Sequence, residues 1–214
     1  MKTALLAVYF GSSDLTSMHL LEQDLRQAFP EVTVFRAFLR SDASPSVTEA
    51  LAQLQTYDRV VVQPMLVSDG PAYRQLHTLC SELPIGAPLL ASPDACIHAM
   101  TQWLPRPSVL MGHGSSDCSQ TAFAAQFPRD LHFALLNGEP ALEDILPQVA
   151  GQTIHLAPFL LTCGRHTSRD LALWKQRLEQ NGCCVILHQE SLAQCAAIRA
   201  VFVQHAKTIL YSTI

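Results

Sequence analysis

Two histidines stand where imidazole chemistry would be useful. His113 closes an apolar run and opens His113-Gly-Ser-Ser-Asp117, and His166 follows an apolar run and a glycine in Cys163-Gly-Arg-His166. An imidazole with a pKa near ~6.5 can hold a divalent transition-metal ion loosely or accept a proton at neutral pH. Two such rings converging on one cleft would do both. Two unrelated surface or helix-capping histidines would do neither, and spacing alone leaves both readings open. An internal comparison favours the first. Phe10-Gly-Ser-Ser-Asp14 repeats the His113 segment with phenylalanine in place of histidine, and Ala72 stands where the second copy has His166. Polar residues found in one copy only are candidates for chemistry, whereas shared ones are candidates for scaffold. The Gly-Ser-Ser-Asp segments combine a turn with residues that cap a following helix, whose free N–H groups attract carboxylates.

The elements that must position these residues alternate along the chain. Apolar, β-rich runs at 3–10, 32–38, 59–63, 87–90, 108–112, 131–136, 153–158 and 183–187 read as strands. Helical patterns fall near 14–29, 46–56, 70–82, 93–103, 118–127, 140–149, 167–181 and 191–209, with Leu21, Leu25 and Phe29 on one face of the first. Alternating strands and helices imply parallel sheets covered by helices on both faces. Further repeats support an α/β fold of two similar lobes, each a four-stranded parallel sheet flanked by helices and related by internal duplication. Gln63-Pro-Met-Leu-Val-Ser-Asp-Gly70 parallels Ala157-Pro-Phe-Leu-Leu-Thr-Cys-Gly164, Phe35 to Leu39 parallels His132 to Leu136, and Leu89-Leu90 parallels Val185 to Leu187. The join falls at Pro105-Arg106-Pro107, dividing the chain into lobes 1–104 and 105–214, the second carrying both histidines. Ligands of such folds bind beyond the C-terminal strand ends, here between the lobes.

Composition narrows the classes. The 214 residues are 49% apolar and 15% charged with net charge −4, which argues against a disordered chain and against a nucleic-acid binder. No apolar stretch reaches the ~18–20 residues of a membrane span. The N-terminal apolar run lacks a signal-peptide cleavage pattern and reads as a strand, which also disfavours a secreted two-lobed binding protein. Seven cysteines without a Cys-x-x-Cys pair suit reduced thiols in the cytoplasm. Cys163 could act as a soft metal ligand, although a buried inert thiol is favoured. The remaining histidines (His19, His77, His98, His132, His155, His188, His205) read as packing or surface residues.

At these residues the chain resembles the anaerobic cobaltochelatases, a family of class II chelatases. The resemblance covers most of the chain and rests on Ala4 to Ser13, Phe35-Arg-Ala-Phe38, Ala87-Pro-Leu-Leu90, Met111-Gly-His-Gly114 and the segment Ala197 to Ala206. Met-Gly-His-Gly is its most specific motif. The chain is shorter than typical members, with an abbreviated segment after Phe38.

The resemblance implies ATP-independent insertion of Co²⁺ into sirohydrochlorin for anaerobic cobalamin biosynthesis. Insertion of iron, or a non-catalytic tetrapyrrole or metal carrier, are the alternatives. His113 and His166 match the family's active-site histidines, as metal ligands and proton acceptors. Where the family has a Glu followed by an aromatic residue and Pro, this chain reads Asn137-Gly-Glu-Pro140, so Asn137 as neutral ligand or Glu139 as displaced acid takes the third position. The implied substrate is polyanionic. Ser12, Ser13, Ser115 and Ser116 at the helix starts, with Arg165, Arg169 and Arg40, are candidate partners for its carboxylates. Tyr9, Phe10, Met65 and Tyr73 are candidates for an apolar wall, with core packing the competing role for Phe10 and Met65. No tightly bound cofactor is expected beyond the substrate metal. The expected partners are a tetrapyrrole and a divalent ion, with no nucleic acid or membrane, and self-association into a homo-oligomer is left open.

Overall fold

Ala4 to Tyr9 are all buried, which identifies the first strand as the centre of a parallel sheet, covered on both faces. The computed structural model describes residues 2–114 and 119–212, apart from the side chains of 119–121, 165 and 166. Its first half runs β1 (Thr3–Tyr9), α1 (Leu15–Ala28), β2 (Thr33–Phe38), α2 (Val47–Gln53), β3 (Arg59–Met65), α3 (Pro71–Leu79), a 3-10 turn at Leu89–Ala91 and α4 (Pro93–Trp103). The second runs β4 (Ser108–Gly112), α5 (Ser119–Ala124), β5 (Leu131–Leu135), α6 (Leu142–Val149), β6 (Thr153–Pro158), α7 (Arg165–Gln180), β7 (Cys184–Leu187), a 3-10 turn at Leu192–Gln194 and α8 (Ala196–Tyr211). All strand pairs are parallel, in the orders β2-β1-β3 and β5-β4-β6-β7. This is the expected α/β architecture. Among the described residues no helix is long and apolar enough to cross a membrane.

One expectation fails. The first sheet has three strands, because 87–90 forms no strand. A fourth strand begins beside β3, where Val62 N donates to Pro84 O (2.9 Å) and Gly86 N to Val62 O (2.8 Å), but it stops after an isolated bridge at Ile85. Pro88 has no N–H with which to extend the ladder. The Ala87 carbonyl is instead taken by Gln63 Nε2 (2.9 Å) and by His205 Nδ1 (3.1 Å). The chain then turns: Leu89 N and Leu90 N donate to the Leu66 and Val67 carbonyls. Leu192 N and Ala193 N donate in the same way to Leu160 and Leu161. The structural partner of Leu89–Leu90 is therefore the 192–194 turn rather than Val185 to Leu187.

The largest core cluster draws Leu5 and Tyr9 from the first sheet, Leu110, Phe133 and Phe159 from the second, and Phe202 from α8. Smaller clusters lie beneath the helices that cover each sheet, around Leu6, Val62 and Leu76 and around Met111, Leu156 and Trp174. On α1 the buried positions Met18, Leu21 and Leu25 give the helical spacing read from the sequence. The last helix returns to the first half, packing on α1, α4 and β3. There Arg59 donates to the Leu210 and Ile209 carbonyls (2.7 and 2.9 Å).

Candidate functional site

β4 delivers His113 to the C-terminal edge of its sheet. Its last residue, Gly112, has room for no side chain, since a Cβ there would lie 2.7 Å from Phe133 Cζ. Gly114 has φ 77°, and a Cβ on it would stand 1.9 Å from the Asn137 carbonyl oxygen. Glycines on either side thus let the strand pass the aromatic core and bend sharply past β5, leaving His113 exposed at the apex. His113 Nδ1 lies 3.0 Å from Gly114 O. A carbonyl only accepts, so Nδ1 carries the proton and the Nε2 lone pair is the one available to an ion or an incoming proton.

Asn137 follows β5 directly beside it. Asn137 N donates to His113 O at 3.0 Å, and its side-chain Nδ2 is 3.5 Å from the same oxygen. His113, Gly114, Asn137 and Gly138 line a cavity of about 770 Å³ together with Phe10, Pro71 and Ala72 from the first half. Phe10 and His113 also line a cavity of about 230 Å³, walled by Met65, Leu66 and Val67 after β3 and by Leu160, Leu161 and Thr162 after β6. The strand ends of both halves therefore enclose one cleft, mostly apolar with an imidazole and an amide on its second-half side. Its volume suits a small-molecule site.

His166 is the second residue of α7, on the segment that leaves β6. The side chains of His166 and Arg165 lie outside the described residues, as do Ser115 and Ser116 entirely. What holds their segment is visible. Asp14 caps α1 by accepting Ser17 N through Oδ1 (3.1 Å), and its Oδ2 accepts Cys163 N (3.0 Å), joining the two halves three residues before His166. Buried Ser17 and Ser191 hydroxyls form a second link at 2.7 Å. At the start of α7, Gly164 N donates to Thr167 Oγ1 (3.2 Å). Burial, with the Asp14 and Glu190 charges adding to it, pushes the Cys163 thiol up to about 12, which keeps it protonated and a poor metal ligand.

The other candidates separate. Ser12 Oγ accepts Asp14 N (3.0 Å) within the turn, while Ser13 is exposed at the α1 start. Phe10 is half exposed in the cleft, at 51%. Tyr9 is turned into the core and reaches only the floor of the smaller cavity, its hydroxyl donating to Met18 O (3.4 Å). Tyr73 lines a different cavity, of about 370 Å³, with its hydroxyl on Gly86 O (3.1 Å). Glu139 and Asn137 part company: the chain turns through Gly138 into α6, and Glu139 lines a cavity of about 980 Å³ with Arg129, Asp130 and His132. Arg40 pairs with Asp42, and Arg169 is exposed on α7. Sequence reasoning passed over Pro71 as a cleft residue and Asp14 as the link between halves. The Gly-Ser-Ser-Asp repeat marked Asp14 as a cap, but its second acceptor oxygen has a partner 149 residues away.

A family model described as cobalt chelatase (CbiK) matches residues 3–211. The sirohydrochlorin cobaltochelatase of Salmonella typhimurium is 28% identical over an alignment of 253 residues, covering 96% of this chain and 95% of that protein. That alignment is longer than the chain, so it contains positions this protein lacks. Among solved structures, SirB from Bacillus subtilis with Fe³⁺ superposes with a TM-score of 0.72 at 17% identity, over 99% of this chain and 96% of that one. The sirohydrochlorin chelatase SirB from Bacillus subtilis subspecies spizizenii in complex with cobalt gives 0.66 at 17% identity, over 98% and 95%. DR2241 from Deinococcus radiodurans, a multi-domain protein with structural similarity to chelatases, gives 0.67 at 18% identity, over 96% of this chain and 55% of that one.

Proposed function

This chain belongs to the cobalt chelatase (CbiK) family, and on that premise we propose that it inserts Co²⁺ into sirohydrochlorin held in the cleft between the two sheets. The observation that carries the reading is the cleft itself: about 770 Å³, walled by Phe10, Pro71 and Ala72, with His113 and Asn137 opposite. An apolar wall suits the face of a macrocycle, and the start of α1 beside Ser12 and Ser13 suits its carboxylates, with Ser115, Ser116 and Arg165 as the further partners read from the sequence. Insertion requires the ion to shed water and two pyrrole N–H protons to leave. His113 Nε2, with its tautomer set by the Nδ1–H bond to Gly114 O, can ligate the ion or take one proton, and His166 is the second base and ligand. Asn137 is a neutral oxygen donor that does not titrate, so release of the metal is easy and proton removal rests on the histidines. No nucleotide is needed, since binding and deprotonation are local acid–base steps.

Iron is the second reading, supported by the likeness to a SirB structure holding Fe³⁺ as well as to one holding cobalt. A non-catalytic carrier is the third, favoured by Asn137 where the family pattern has a carboxylate. We also read the two sheets as copies of one duplicated unit, supported by their common strand order.

The test is anaerobic visible spectroscopy of sirohydrochlorin with Co²⁺ or Fe²⁺, comparing wild type with His113→Ala and His166→Ala. Turnover above the protein-free rate that both variants lose upholds the chelatase, and competition between the ions assigns the metal. Ring binding without turnover would leave a carrier.

A further inference from the structure

Outside the cleft, the second sheet carries a pair of imidazoles in direct contact. His155 lies on β6 in register with Ile186 of β7, and His188 follows β7, two residues beyond Ile186 on the same face. Strand alternation therefore puts both rings on one side of the sheet. That side is the open one: Val185 and Leu187 pack beneath α7, while Cys184 and Ile186 are exposed. His155 Nδ1 and His188 Nε2 are 2.8 Å apart, with ring centroids 5.1 Å apart and planes tilted by 36°. Both rings are partly exposed. The other nitrogen of His188, Nδ1, faces Glu190 Oε2 at 4.0 Å.

The geometry points to a second divalent transition-metal site, formed by His155 Nδ1 and His188 Nε2 and oriented by Glu190, on the outer face of the second sheet. Two nitrogens bound side by side to one ion at ~2.0–2.1 Å stand roughly 3 Å apart, so the spacing is nearly right, but the rings now meet head-on in a hydrogen bond and each must turn its lone pair toward the ion as that bond breaks. No proton is lost overall when an ion enters. The ring proton lying between the two nitrogens moves to the other nitrogen of its own ring. On His188 that nitrogen is Nδ1, beside the Glu190 carboxylate, the arrangement in which a carboxylate steadies a metal-bound imidazole. Imidazole nitrogen selects borderline ions such as Co²⁺, Ni²⁺ and Zn²⁺ over Mg²⁺ or Ca²⁺. Among the described residues no three metal-binding side chains are gathered together, so water completes the coordination and the ion is exchangeable. The segment leaving His188 continues through Ser191 to Leu192, whose N–H is bound to Leu160 in the wall of the cleft (2.9 Å). The site thus lies on the same half as the proposed chemistry, yet its existence does not depend on that chemistry.

Metal alone is the probe. In protein carrying His113→Ala and His166→Ala, titration with Co²⁺ should show one ion bound per chain by calorimetry and visible absorption. Adding His155→Ala or His188→Ala should weaken binding at least tenfold, and Glu190→Gln by ~10–100-fold. Paramagnetic Co²⁺ added to the wild type should also shift the ring-proton resonances of His155 and His188, a readout that requires no substitution to fold. Absence of binding in the cleft-deficient protein, binding indifferent to both imidazoles, or unshifted His155 and His188 resonances would each overturn the site. None of these results depends on turnover of a tetrapyrrole.

Discussion

Arg40 and Asn137 occupy the same backbone position in the two sheets. Arg40 N donates to Phe10 O at 2.8 Å, and Asn137 N donates to His113 O at 3.0 Å. One residue earlier, Leu39 N bonds Tyr9 O and Leu136 N bonds Gly112 O, both at 2.9 Å. The backbone is thus shared while the side chains diverge: Phe10 is an apolar wall, His113 an imidazole with a free lone pair. The cores diverge as well. Arg36, in register with Ala7 on β1, reaches the buried carboxylate of Glu22, which also holds Arg26 at 3.1 Å. At the matching place beside Leu110, the second sheet has Phe133, packed among Phe123, Phe127 and Phe159. One half is stabilised there by an ion-pair clamp and the other by aromatic packing, and at the matching strand ends the first sheet carries Phe10 and the second His113.

The largest test of this contrast is at the strand ends. His113→Ala should lower turnover by ~10²–10⁴-fold, the range for losing a general base, whereas Phe10→Ala should raise KM a few-fold with kcat nearly unchanged. Equal losses in kcat would mean that both halves take part in the chemistry.

The two cores differ in how they should fail. Phe133→Ala should cost about 3–5 kcal/mol by urea denaturation, the usual range for emptying a buried aromatic site. Glu22→Ala should cost about 2–3 kcal/mol, less than a fully buried pair, because Arg26 and Arg36 can turn to water. Replacing Glu22 and Arg36 together with methionine should recover most of that loss, and no recovery would refute the clamp as the cause.

Asn137→Glu would give the second sheet the carboxylate that the family pattern carries. It should tighten Co²⁺ binding at the cleft and raise turnover about tenfold, an effect of ~1.4 kcal/mol. A fall in turnover would instead mean that the neutral amide is needed to release the ion.

The smallest expected effect concerns how each half anchors its 3-10 turn. In the first, His205 donates through Nδ1 to Ala87 O, and its Nε2 accepts from Ser92 (2.8 Å). In the second, Arg199 donates to the Ala193 and Gln194 carbonyls (3.0 and 3.2 Å). Burial lowers the His205 pKa below its ordinary value, against a smaller opposing effect of the Ala87 bond. A lowered folded-state pKa means that the unfolded chain binds more protons. Stability is therefore complete above the unfolded value of ~6.5 and declines as pH falls through the folded one. Urea midpoints should drop from pH 7.5 to pH 5.5, and His205→Gln should flatten part of that slope. His132 and His155, also lowered by burial, would retain the rest.

Legibility followed the range of the interactions. Strand and helix periodicity in segments such as Ala4–Tyr9 and Leu21–Leu25 is local, so seven strands and the order of the helices could be read directly. The Met-Gly-His-Gly motif was readable through its resemblance to a family, whereas the reason its glycines are required was not, because the atoms they avoid belong to Phe133 and Asn137. The missing fourth strand could not be read as easily, because Leu89–Leu90 are apolar enough for one. Pro88 and the capture of Ala87 O by Gln63 and His205 decide otherwise, and His205 is 118 residues away.

By itself, then, the sequence determined that this is a parallel α/β chain and singled out His113 and His166 as the candidates for its chemistry, since patterning and residue type are properties of short segments. Only the tertiary structure decided which strand ends meet across the cleft, that Tyr73 and Glu139 face other cavities, that Asp14 ties the halves together, and that His155 and His188 touch. Those are contacts between segments far apart in the chain. They depend on how two sheets pack around a shared core, which no local pattern encodes.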